Sequence, residues 1–163
     1  MSPSISLDTL REVSFFAGMP EEQLNRLAEI SREATFQRGD MLFKEGDPGD
    51  EVYFVVNGEI SVIICTPKVG CRHIGTVSDG ELVAWSPLLQ HARLSAGAHA
   101  IAPTRVIAID AEKLRALCQE DAELGYHFMH RIAEVLAERL SGTRMRLMEA
   151  HGLHLPEFAP ETD

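Results

Sequence analysis

A mainly β fold with flanking helices is predicted for this chain by three observations. Short β-rich runs recur between Thr35 and Ile109, separated by clusters of Gly, Asp, Asn and Pro. An apolar period of three to four residues precedes them from Leu7 to Ile30, and a longer one follows from about Ala111 to Ala150. Regular short strands bounded by such turns close as a small sandwich or barrel.

The N-terminal helices are expected over residues 7–33. Leu7, Leu10 and Val13, then Leu24, Leu27, Ala28 and Ile30, carry the spacing. Pro20 followed by Glu21 and Glu22 reads as a helix start, with acids at the positive end of the helix dipole. The barrel is expected over 34–110, with strands at Met41 to Phe43, Val52 to Val56, Ile60 to Cys65, His73 to Val77 and Val106 to Ile109. Gly46-Asp47-Pro48-Gly49-Asp50 has the residues of a tight turn, and Asn57-Gly58 between two alternating runs predicts a β-hairpin.

The C-terminal region, 111–150, is expected to form two helices broken near Glu120-Asp121, with 151–163 as a flexible tail. Gly125, Met129, Ile132, Leu136, Leu140, Thr143 and Leu147 fall on one helical face. Leu124, Phe128 and Val135 widen that face in its first half. Beyond Leu136 it narrows to a seam flanked by Arg139 and Arg146, which suits packing on another helix. A homodimer through residues 136–147 is the simplest partner; the alternative is a seam folded back on its own domain.

Composition excludes several function classes. The 163 residues include 45% hydrophobic and 25% charged residues, ordinary for a soluble globular domain. A net charge of -10 disfavours direct DNA binding, which depends on Lys and Arg neutralising phosphates. No apolar run approaches the ~20 residues of a membrane span, and Met1 to Ser6 has no leader-like pattern, so a cytoplasmic location away from the membrane is expected. Of three cysteines, Cys65 and Cys71 flank the turn-like stretch Thr66 to Gly70 and are placed to form a redox pair across a hairpin. A reducing compartment favours two free thiols instead.

The segment Asp79-Gly80-Glu81-Leu82-Val83 carries the strongest chemical signal. A tight Gly-Glu step after a β run, opening a short helix, sets one fixed carboxylate beside backbone N–H groups. That pairing suits a sugar hydroxyl next to a phosphate.

Five segments, in this order and spacing, give the chain a resemblance to the cyclic nucleotide-binding domain superfamily, in particular to Crp/Fnr-like sensor domains without a helix-turn-helix. They are Phe16-Ala17-Gly18-Met19, Phe43-Lys44-Glu45-Gly46-Asp47, Tyr53 through Ile60, Gly80-Glu81-Leu82 and Arg139-Leu140-Ser141-Gly142-Thr143. The resemblance covers roughly Leu7 to Ala150. It implies a double-stranded β-helix, or jelly-roll barrel, with N-terminal helices and a long C-terminal helix.

It also implies a ligand set. The residue matching Glu81 accepts a hydrogen bond from a ribose 2′-hydroxyl in that family, and the amides of Leu82, Val83 or Ala84 would meet the cyclic phosphate. The family's phosphate-neutralising Arg opens a sequence of the type Arg-Ser-Ala-Ser-Val. With Ala100 to Ile109 taken as the following strand, Leu94-Ser95-Ala96-Gly97-Ala98 aligns there, so Leu94 stands at the Arg position and Arg93 is displaced by one residue. Along a strand that displacement turns a side chain to the other face. The cassette is also longer than usual, with Trp85 to Ala92 inserted. Thr143 matches a base-contacting Thr, while Arg144 stands where a Ser is usual. The candidate ligand residues are Gly80, Glu81, Leu82, Val83, Arg93, Ser95 and Thr143.

The expected function is a stand-alone sensor that binds a nucleotide-like ligand, cyclic AMP or cyclic GMP, and signals through its C-terminal helix to a dimer or another protein. The alternative is an interaction module that keeps the fold without a ligand. His127 with His130, and His151 with His154 and Glu157, lack the third neighbour that a metal site needs, so no metal is expected. No phosphate loop or nucleophile elbow points to catalysis.

Overall fold

A computed structural model describes residues 5–89 and 93–157. The expected tail is therefore described only to Glu157. Helix α1 spans Leu7–Arg11, where the Ser6 hydroxyl accepts from the Thr9 amide at 3.2 Å as an N-cap. A 3-10 turn at Ser14–Phe16 leads to α2, Glu21–Glu29, whose first turn carries Glu21 and Glu22.

The helical region ends earlier than residue 33. Strand β1 already begins at Ser31, spanning Ser31–Phe36, and the Ser31 hydroxyl donates to the Leu27 carbonyl at 2.6 Å. The pairing of Ser31 with Ile109 draws the chain into the sheet as soon as α2 ends.

Seven further strands follow: β2 Met41–Phe43, β3 Glu51–Asn57, β4 Ile60–Thr66, β5 Gly70–Val77, β6 Leu82–Ala84, β7 Gly97–Ala100 and β8 Thr104–Asp110. They form two four-stranded sheets, ordered β1-β8-β3-β6 and β2-β7-β4-β5, with antiparallel pairs throughout. This is a jelly-roll barrel with helices at its flank.

Two local expectations are corrected. Asn57-Gly58 is not the turn of a paired hairpin, because β3 and β4 lie in different sheets. The chain turns a corner there instead: the Gly58 amide donates to Asp79 Oδ1 at 2.8 Å and the Glu59 amide to Thr104 Oγ1 at 3.2 Å. The stretch Ala100 to Ile109 is likewise two strands, broken between Ala100 and Thr104. Pro103, which has no N–H to donate, lies in that break.

Strand β3 separates two apolar clusters by the alternation of its side chains. Val55 faces the barrel interior with Ile60, Val77, Val83, Ala98 and Ala100, and Tyr53 packs against that cluster. Phe54 faces the flanking helices, with ring centroids 4.7 Å from Phe15 and 5.0 Å from Phe16.

Helix α3, Ala111–Glu120, is capped by Asp110, whose Oδ1 accepts from the Lys113 amide at 2.8 Å. Asp121 separates it from α4, Ala122–His151, and accepts from the Leu124 amide at 3.1 Å. The chain divides into two compact units, Met1–Phe128 and Met129–Asp163. Along α4, Leu124, Phe128 and Ile132 are buried, whereas Leu140, Met145, Leu147 and Met148 are exposed. The helix continues through Gly142 without interruption. Among the described residues, no helix is long and apolar enough to cross a membrane.

Candidate ligand site

The turn between β5 and β6 fixes one carboxylate. Gly80 adopts φ +81°, a left-handed conformation that suits Gly, and a Cβ there would lie 3.0 Å from Ser14 Oγ. Its amide donates to the Val55 carbonyl at 2.9 Å, and the Val55 amide donates to the Glu81 carbonyl at 2.9 Å. Two bonds to one residue of β3 thus hold the Gly-Glu step. The Glu81 side chain is exposed, and its Oε1 accepts from the Ser78 hydroxyl at 2.9 Å and from the Ser78 amide at 3.4 Å. Glu81 Oε2 accepts from no group among the described residues.

The backbone after Glu81 departs from the expected helix N-terminus. Leu82–Ala84 is strand β6, with Leu82 paired to Phe54 and Ala84 to Tyr53. Leu82 is buried, and Val83 belongs to the barrel-interior cluster. Burial of this apolar run against β3 outweighs a helical start. As the edge strand of its sheet, β6 still directs alternate N–H groups away from β3.

Helical geometry appears only at Ser86–Leu88, one 3-10 turn with Pro87 near its start. Pro87 packs so closely on Gly49 that a Cβ at Gly49 would lie 2.8 Å from Pro87 Cγ. Arg115 of α3 donates to the Pro87 carbonyl, joining the cassette to the C-terminal helical region. Residues 90–92 of the inserted stretch lie outside the described residues.

Where the cassette returns, Arg93 forms an antiparallel bridge with Pro48, and its Nη1 donates to the Gly46 carbonyl at 2.8 Å. The Leu94 amide donates to the Asp47 carbonyl at 3.0 Å, and the Gly46 amide donates to the Leu94 carbonyl at 2.8 Å. Arg93 is exposed and Leu94 is buried. Ser95 is exposed in a bend. Thr143 lies in the second unit, where its hydroxyl donates to the Arg139 carbonyl of its own helix at 2.8 Å.

Two contributors lie outside the residues that the sequence marks: Ser78 and Arg115. Ser78 and Glu81 have the Ser-x-x-Glu spacing of a capping box, a signal that was present in the sequence. Arg115 left no local signal, since its partner is 28 residues away. The expectation of free thiols at Cys65 and Cys71 is also corrected. They are opposed in the β4–β5 register and form a disulfide. Cys118 is free, and burial pushes its thiol pKa up, with Asp121 adding to the shift.

The sequence profile of the cyclic nucleotide-binding domain matches residues 33–121, from β1 to the end of α3. The chain belongs to the cyclic nucleotide-binding domain family. Its matched region contains the Glu81 turn, the cassette and both sheets of the barrel. The chain is 26% identical over 147 residues to the CRP-like cAMP-activated global transcriptional regulator of Mycobacterium tuberculosis, covering 87% of this chain and 62% of that protein. It thus spans about three fifths of the length of that relative.

Among solved structures, a Geobacter metallireducens GS-15 protein described as a candidate cyclic nucleotide-binding protein superposes with a TM-score of 0.73 at 29% identity, covering 83% of this chain and 98% of that one. A cyclic nucleotide-binding domain from Methylobacillus flagellatus KT superposes with a TM-score of 0.78 at 24% identity, covering 94% of this chain and 84% of that one, a likeness of fold.

Proposed function

We propose that this cyclic nucleotide-binding domain is a regulatory rather than catalytic module. It binds a small nucleotide-like ligand at the Glu81 turn and passes its occupancy to the C-terminal helices. The observation that carries this reading is the Glu81 carboxylate, held by Ser78 on one oxygen with the other open among the described residues. An exposed acceptor fixed in this way suits a ribose hydroxyl. Outward amides of edge strand β6, rather than a helix N-terminus, supply donors for the phosphate.

Arg93 stands at the rim as a cation with one guanidinium nitrogen on the Gly46 carbonyl and further N–H donors to offer an anion. Gly80 supports Glu81, Leu82 and Val83 contribute backbone amides, the Val83 side chain adds apolar surface from the barrel interior, and Ser95 offers a hydroxyl. Cyclic AMP and cyclic GMP are the first candidates. The Arg115 contact with Pro87 gives the relay a physical link, since a cassette that moves must move or lose that bond.

The second reading, an interaction module without a ligand, is favoured by one observation. Leu94 is buried at the position where a phosphate-neutralising cation is expected, and Arg93 is engaged elsewhere. In either reading the protein works in the cytoplasm, without direct DNA or membrane contact, as a homodimer through 136–147 or with another protein.

Titrating the full chain with cyclic AMP and cyclic GMP while following Trp85 fluorescence and heat separates the two. The sole Trp lies within the cassette. The sensor reading expects saturable heat with a fluorescence change. Silence in both signals at millimolar nucleotide favours the interaction module.

A further inference from the structure

The Cys65–Cys71 disulfide joins directly opposed residues near the outer end of the β4–β5 hairpin. Both cysteines are exposed. The buried residues of these strands, Ile60, Ser61 and Val77, lie at the other end. The bridge closes a loop of sequence separation 6 that the strand ladder already closes, so it constrains little that the fold leaves free. It crosses no core boundary and joins no distant elements.

One bond ties this hairpin end to the ligand side of the barrel. The Cys65 amide donates to Glu45 Oε2 at 3.2 Å. Glu45 is followed by Gly46 and Asp47, whose backbone grips Leu94 and receives Arg93. Cys65, Glu45, Gly46 and Arg93 therefore form a short chain of contacts from the disulfide to the cassette return.

We propose that the Cys65–Cys71 pair is a thiol–disulfide exchange site for an external dithiol, and that its opening loosens the Glu45–Asp47 turn that holds Arg93 and Leu94. This inference does not rest on nucleotide binding. The charged residues between Thr66 and Arg72 are Lys68 and Arg72, both basic in an acidic chain, and Arg72 adjoins Cys71. A basic neighbourhood stabilises a departing thiolate at Cys71, whereas Cys65 has the Glu45 carboxylate on its amide. Attack therefore falls on Cys65 Sγ.

The reductant's thiolate forms a bond to Cys65 Sγ as the Cys65–Cys71 bond breaks, and Cys71 leaves as thiolate. The reductant's second thiolate then attacks its own sulfur in the mixed disulfide. Cys65 leaves, and the reductant becomes a cyclic disulfide. The reductant loses two electrons, the protein disulfide gains them, and two protons complete the two thiols.

The full-length protein, purified without reductant, is equilibrated in graded mixtures of reduced and oxidised dithiothreitol. Alkylation with mass analysis, circular dichroism and amide hydrogen exchange are read together. The expected result is two further alkylated thiols in a protein that stays folded. The amides of Lys44, Gly46, Asp47, Cys65 and Leu94 exchange about fivefold faster, the equivalent of one net hydrogen bond. Brief treatment with a monothiol places the adduct on Cys65. A Glu45→Ala variant keeps the thiol chemistry and loses the redox dependence of exchange at Lys44, Gly46 and Asp47. Cysteines that are unbridged before treatment, opening only on unfolding, or opening with unchanged exchange in that turn would each overturn the proposal.

Discussion

Arg93 Nη1 donates to the Gly46 carbonyl oxygen at 2.8 Å, which places the cassette's cation on the β2–β3 turn. Its neighbour Leu94 is buried, as the alternation of faces along an extended segment requires when the next residue points outward. The one-residue offset in the sequence thus has a structural counterpart in which charge lies at the surface and an apolar side chain lies inside. The family's fold is retained with Arg93 at the surface and Leu94 inside.

Glu81 and Ser78 separate affinity from stability. Both are exposed or near the surface, so Ser78→Ala removes about 1 kcal/mol or less of stability and weakens nucleotide binding by up to about fivefold. Thermal denaturation and calorimetry of the same variant read both quantities. A large drop in melting temperature would mean that the turn is a structural element first.

Phe54 anchors β3 against the helices through its contacts with Phe15 and Phe16. Phe54→Ala is expected to destabilise the protein by about 3–5 kcal/mol, because it leaves a cavity in a fully buried aromatic cluster. Urea unfolding checks this directly.

Much of this architecture was legible in the sequence, and the failures have local causes. The apolar spacing of Leu24, Leu27 and Ala28 marked α2, and the β-rich run Val52 to Val56 marked β3. Asn57-Gly58 misled because a turn signal states that the chain bends, and says nothing about whether the strands on either side pair with each other. Residues Leu82–Ala84 misled because a Gly-Glu step followed by apolar residues suits an edge strand as well as a helix. In the site, Glu81 was visible as a residue type in a turn. Its hold by Ser78 is written in the local Ser-x-x-Glu spacing, whereas the Arg115–Pro87 link depends on tertiary proximity that no local pattern encodes.

Tyr53 gives the barrel a pH dependence at its alkaline end. Burial, then the Glu51 carboxylate, raises its pKa from 10.0 to about 12, and its hydroxyl donates to Glu51 Oε1 at 3.3 Å. The folded state disfavours the phenolate, so this contribution to stability is complete below the unfolded pKa near 10.0 and is lost as pH rises through about 12. Tyr53→Phe is expected to flatten that fall in a pH series of denaturation curves. An unchanged alkaline limb would assign the fall to other groups.

Leu140 and Leu147, seven residues apart on α4, are 52% and 48% exposed, which makes them the pair to test for self-association. Sedimentation should give a dimer for the wild type and a monomer for Leu140→Glu combined with Leu147→Glu, with helicity retained in both. A wild-type monomer at all accessible concentrations would exclude a homodimer through 136–147.

Calorimetry with cyclic AMP on the wild type, Glu81→Ala and Leu94→Arg tests the central claim most directly. The account predicts weak saturable binding to the wild type and a loss of roughly tenfold to a hundredfold in Glu81→Ala, the worth of a hydrogen bond to a charged group. Leu94→Arg should unfold at lower temperature without nucleotide, because it buries an unpaired cation, and should bind more tightly than the wild type and regain stability with it. No saturable heat from either the wild type or Leu94→Arg at millimolar nucleotide, with both proteins folded, would contradict the assignment of the Glu81 turn as a nucleotide site.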